Sequence, residues 1–164
     1  MKRLIAVLCA LALGVAFIPA ISSGSAGGPY DSVTGSGYRG NVANPTTPIS
    51  HFAVSARDGP GGVSGTYSTM AANALLNFRA DVTCLYVNGN QAVVGGVVTS
   101  GGAPGQVGTG FAVGFIDNPS PTPDSVTFSD VTIPPTVDCF AEAILFTLPT
   151  FTVLRGNVDV NDAP

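Results

Sequence analysis

The chain has 164 residues, 45% of them hydrophobic and 10% charged, with 21 glycines, 13 prolines and no tryptophan. Six lysines and arginines stand against ten carboxylates, a formal charge of −4. It therefore lacks the basic surplus that displaces counterions from nucleic acid or holds a protein on an anionic membrane surface, and neither is expected as a partner.

Met1, Lys2 and Arg3 precede an uncharged apolar run at residues 4–18, followed by small and polar residues at 21–28. That order predicts a secretory signal peptide. Gly24 and Ala26 suit the −3 and −1 positions and place cleavage after Ala26, whereas cleavage after Ala20 would put the bulky Ile18 at −3. A membrane anchor is the rival reading, but the run is about 15 residues long, short of the 18 or more that span a bilayer, and Pro19 breaks it. Cys9 lies inside this run, with too little chain before it for a lipidation site. Cleavage predicts a single secreted β-domain at residues 27–164, with no membrane association left and a more acidic balance. Its only cations are Arg39, Arg57, Arg79 and Arg155.

With Cys9 removed, Cys84 and Cys139 remain, and an even pair in an oxidising compartment predicts one disulfide. Two cysteines and the single histidine, His51, make a poor zinc set, and the cysteines are too far apart for a CxxC redox turn. Closing so long a loop contributes about 4 kcal/mol on the chain-entropy model.

Helix signals are nearly absent. A short stretch at 70–76 is compatible with a helix or a loop. Strand signals are abundant and begin with a weak segment at 33–42. Residues 51–57 alternate, with Phe52, Val54 and Ala56 on one face and His51, Ser55 and Arg57 on the other. The turn cluster at 58–62 leads into a returning strand at 63–68. In the strand at 78–87, Phe78, Ala80, Val82, Cys84 and Tyr86 share a parity, which predicts that Cys84 points into the core. Asn88 and Gly89 mark a tight hairpin. The strand at 91–99 is apolar on both faces, so it should be covered on both sides, and Gly95 and Gly96 imply a bend or close backbone packing.

After a glycine-rich turn at 100–108, Phe111, Val113 and Phe115 share a face of a strand at 110–117. Residues 118–123 form a proline-loaded loop, and Val126 and Phe128 restart a short strand. Pro134, Pro135 and Cys139 lie in a long irregular connection. In the last strand, 151–160, the apolar parity switches across Gly156, as a bulge would cause. These segments predict an all-β fold of about eight mainly antiparallel strands, a closed or nearly closed barrel with the first strand beside the last, or alternatively a two-sheet β-sandwich.

Chemistry-bearing groups are sparse. His51 is the only histidine, so a serine or cysteine hydrolase would have to use it as the base. Ser64 in GGVSG starts a hairpin strand, not the strand-to-helix turn of a nucleophile elbow. Asp159, Asn161 and Asp162 could join Asp117 or Asn118 around calcium, without the spacing of a calcium loop. Asp81, Asp117, Asp138 and Glu142 could supply a glycosidase pair, although no tryptophan is present to stack a sugar. No catalytic activity, cofactor or metal is expected.

Two resemblances bear on these residues. The segment GTYSTMAANA at 65–74, after the DGxxG turn, resembles the GTY strand of avidin-type barrels, without the tryptophans expected of a biotin pocket. The block FRADVTCLYVNGNQAVVGGVV at 78–98, preceded by HFAVSARDGPGGVSGTYS and closed by RGNVDVNDA, resembles a family of small secreted actinobacterial β-proteins. The shared features are a VTCL strand, a GN hairpin and a terminal GxVxVxD strand. That resemblance implies an exported β-domain and carries no activity with it.

The expected function is a binding or structural module outside the cell that acts through an unidentified partner or ligand. Its surface would come from the loops at 58–62, 100–108 and 118–123. One alternative is a barrel holding a small apolar ligand among Phe52, Phe78, Tyr86, Phe111 and Phe115. Another is an exported hydrolase using His51.

Overall fold

The computed structural model describes residues 29–164 apart from 42, 45, 74, 75, 128 and 129, so the predicted signal peptide, with Val42 and Phe128 of the predicted strands, lies outside the described residues. The strands are β1 (Ser32–Gly40), β2 (Pro48–Gly59), β3 (Gly62–Ala71), β4 (Phe78–Asn88), β5 (Gln91–Gly101), β6 (Gly110–Ile116), β7 (Ser125–Val126), β8 (Asp130–Ile133) and β9 (Phe151–Asn161). A 3-10 helix, Ala141–Thr147, precedes β9.

Each strand from β1 to β6 pairs antiparallel with the next, β6 passes to β7, and β7 to β9. Then β9 returns to β1, with Val33 opposite Val160 and Gly35 opposite Val158. The sheet is thus a closed antiparallel barrel of eight strands, and β8 pairs with β6 beside it. The ring closes through the two-residue β7, beyond which the β9 amides of Val158 and Val160 donate to the Asp124 and Asp117 carboxylates, and the sandwich alternative is not the fold.

The alternating residues explain the interior. Val33, Phe52, Val54, Ala56, Tyr67, Phe78, Ala80, Val94, Phe111, Val113, Phe115, Val153 and Val158 form one buried cluster. Rings fill its centre: Tyr67 stacks on Phe111 at 5.2 Å between centroids and lies 5.8 Å from Phe78, while Phe52 lies 5.8 Å from Phe115.

Cys84 corrects the parity reading. The β4–β5 register shifts between Val82 and Cys84, so Thr83 is a bulge residue and every side chain beyond it changes face. Leu85 and Val87 therefore pack on the barrel core, while Cys84 and Tyr86 join a second cluster with Val93, Ala112, Cys139, Leu145 and Phe146. That cluster lies on the outer face of β5 and β6, under residues 133–147. The disulfide forms as predicted, with sulfurs 2.07 Å and Cα atoms 5.9 Å apart, but it clamps this strap to the outside of the barrel.

Gly95 makes the clamp possible. A Cβ there would stand 2.6 Å from Val137 Cγ1, 2.8 Å from Cys84 Sγ and 3.0 Å from Cys139 Sγ. Covering of β5 on both faces is thereby realised, with Ala92 and Val94 inward and Val93 under the strap.

Pro134, Pro135 and Cys139 lie in an irregular stretch, as expected, between β8 and the 3-10 helix. Three smaller corrections follow. Met70 and Ala71 continue β3 and are not helical. In β9, Tyr38 pairs with Arg155 but Arg39 with Val153, so the extra residue is Leu154 and not Gly156. The GN hairpin turns on Gly89 and Asn90, with Gly89 alone at positive φ, 61°.

Candidate functional site

The two ends of the barrel differ in charge. At one end the connections 41–47, 72–77 and 102–109 contain no ionisable residue. At the other end lie Asp31, Asp58, Asp117, Asp124 and Asp162. Four of these carboxylates are engaged with backbone. Asp124 accepts from the Val158 and Asn118 amides at 2.7 and 3.0 Å, Asp162 from Gly89 at 2.6 Å, and Asp31 from Ala163 at 2.9 Å.

Asp117 accepts from Val160 at 3.1 Å, and its carboxyl is pushed above its ordinary range, chiefly by burial. The Val160 bond opposes that shift, and the nearby charges of Asp124 and Asp159 add to it. Asp117 and Asp159 are thus close, as the calcium reading requires. However, the carboxylates of Asp117, Asp124 and Asp162 tie β9 and the C-terminal tail to the turns, and no group of three or more metal-ligating side chains occurs among the described residues.

The outer face near the uncharged end is different. Tyr38 pairs with Arg155 on one side and with His51 on the other, and His51 pairs with Met70. One row of outward side chains therefore runs Arg155, Tyr38, His51, Met70 across β9, β1, β2 and β3, because neighbours opposite each other in a sheet share a face. The Tyr38 ring meets His51 edge-on, centroids 4.9 Å apart. Met70 is 61% exposed and Tyr38 44%.

Three adjoining depressions follow this row. One of about 340 Å3 lies among Tyr38, Pro48, Leu154 and Arg155. The second, about 380 Å3, lies among Tyr38, Ile49, His51 and Met70. The third, about 360 Å3, extends from His51 and Met70 to Arg79 and Ser100. The next row, Ser36, Ala53 and Ser68, is small and continues flat to Arg79.

Arg39 braces this strip from beneath. It is 2% exposed, and its guanidinium donates to Ser50 Oγ and Thr69 Oγ1, each at 2.8 Å, joining β1, β2 and β3 behind His51 and Met70. The Phe151 ring centroid lies 6.0 Å from its Cζ.

The remaining sequence candidates separate. Ser64 pairs with Arg57, six positions along β3 from Met70, the partner of His51, which is about 20 Å at strand rise. His51 and Ser64 are therefore not brought together. Asp81 lies on β4, opposite Thr66. Asp138 accepts from the Phe140 and Ala141 amides at 3.1 and 3.3 Å, as a cap to the strap helix. Of the proposed cavity lining, Phe52, Phe78, Phe111 and Phe115 pack into the barrel core, whereas Tyr86 lies outside it, edge-on to Phe140 at 5.3 Å. The loops at 58–62 and 118–123 lie at the acidic end and that at 100–108 at the uncharged end, so they form no single surface.

Tyr38, Met70 and Arg39 are the site residues that sequence reading passed over. Parity within β1 holds the signal, since Tyr38 alternates outward with Thr34 and Ser36, and Arg39 inward with Val33. Comparison with protein-family models, with curated proteins and with solved structures finds no match for this chain.

Proposed function

We propose that this chain is an exported domain of the cell exterior that acts by contact, without chemistry of its own, through the strip Arg155, Tyr38, His51 and Met70. The observation that carries the reading is the strip itself. Exposed apolar side chains and arginines share one face, near the end whose connections 41–47, 72–77 and 102–109 carry no ionisable residue and away from Asp31, Asp58, Asp117, Asp124 and Asp162. Apolar area rimmed by charge is how contact surfaces are built. The disulfide-linked strap is compatible with an extracellular location, and the resemblance to secreted actinobacterial β-proteins favours one. His51 fits this role, since its nearest partners in the row are an aromatic ring and a thioether.

The test is retention at the cell exterior. The wild type, expressed in the producing cells, is expected to be exported and to fractionate with the envelope. The double variant Tyr38→Ser, Met70→Asp should be exported, folded and released to the medium. Equal retention of both, or a wild type kept inside the cell, would overturn the reading. The hydrolase alternative requires that His51→Ala abolish turnover of a substrate which the wild type cleaves; an unchanged rate removes it.

A further inference from the structure

The strap carries a second exposed apolar surface. Phe140 is 70% exposed, Ile144 66% and Leu148 48%, all within or beside the 3-10 helix Ala141–Thr147. Its charged neighbours are acidic, Asp138 and Glu142. The strip on β9, β1, β2 and β3 is also apolar, and its charged members are Arg155 and, at its far side, Arg79. One molecule thus presents two apolar patches of opposite charge.

Barrel order places the centres of these patches on opposite sides. The strap covers β5 and β6, through Val93 and Ala112, and the strip is centred on β1 and β2. In the ring of eight, β1 is four strands from β5 in either direction, and β2 is four strands from β6. The centre of the strap therefore stands half a turn from the centre of the strip, although its Cys84–Cys139 anchor is on β4, beside β3.

We infer that the partner of the strip is a second copy of this chain, whose strap docks on it. Phe140 and Ile144 meet Tyr38 and Met70, and Glu142 faces Arg155. Here the inference rests on the reading of the strip as a contact surface and names its partner. The contact is heterologous: each copy uses one patch to receive and the opposite patch to donate. Because the patch centres lie across the barrel from each other, addition of copies continues into chains or rings and does not close as a dimer. Charge complementarity sets the orientation of the join, and apolar burial holds it.

Mixing two variants of the purified protein tests this directly. Ile144→Asp spoils only the strap and Met70→Asp only the strip, and both side chains are exposed enough that folding is preserved, which circular dichroism checks. In sedimentation velocity up to about 1 mM, the wild type should grow with concentration beyond a dimer. Each variant alone should associate at least about 10-fold more weakly. Their mixture should form one-to-one dimers that grow no further, because each dimer has spent its one good strap and its one good strip.

A wild type that stays monomeric throughout, or one that stops at a dimer while the mixture stays monomeric, would overturn the inference. If the wild type is monomeric yet the strip variant still loses envelope retention, the contact reading survives with a different partner. If retention too is unchanged, both fall.

Discussion

Arg39 shows how much of the strip is fixed from inside the barrel. Its donors serve hydroxyls on two neighbouring strands, so its loss leaves Ser50 and Thr69 short of partners and opens a cavity. Arg39→Ala should cost about 3 kcal/mol, measured by urea unfolding; a loss under about 1 kcal/mol would mean that the brace is not structural. Asp117 carries a pH dependence. Its folded carboxyl titrates above the ordinary value of 3.8, chiefly through burial, so the folded state holds a proton that the unfolded chain releases. The stability linked to it is complete below about pH 3.8 and lost as pH rises through the higher folded value. Asp117→Asn keeps an oxygen for the Val160 amide and should flatten that part of the pH–stability curve. An unchanged slope would contradict the shift. Among single residues, the cysteine pair was legible from the chain, and the site was not. Tyr38, His51 and Met70 lie on three strands, and only register shows that they form one row.

At the scale of elements, alternation located the strands because most have one face on the core and one outward. It failed where a bulge adds a residue, at Thr83 and Leu154, since the extra residue is defined by the partner strand and leaves no mark in its own segment. The strap was missed for another reason. Its 3-10 helix is short, and much of its burial comes from Val93 and Ala112 beneath it, so little in its own sequence announces it. Gly95 is the hinge of that packing. Gly95→Ala would press a methyl group on Val137 and both sulfurs and should cost about 2 kcal/mol with the disulfide intact. Gly61→Ala, which meets nothing within 4 Å, should cost almost nothing. Equal stability of the two variants in denaturant melts would show that the strap has room to move.

At the scale of the whole molecule, pairing of β9 with β1 turns a meander into a rigid cylinder and fixes what lies opposite what. Closure was foreseeable from strand count and from the need to hide edges. The separation of acidic and uncharged ends was not, because it depends on which turns alternate to which end. Neither was the opposition of strap and strip, which exists only once the ring is closed. The most direct measurement is therefore a map of where one copy is touched. Isotope-labelled Ile144→Asp protein, with its strip intact, is titrated with unlabelled Met70→Asp protein, with its strap intact, and amide shifts are followed by NMR. Shifts confined to β9, β1, β2 and β3 around Arg155, Tyr38, His51 and Met70 are the expected result. Shifts centred on the turns at 59–62, 89–90 and 117–124, or no shifts at all, would contradict it.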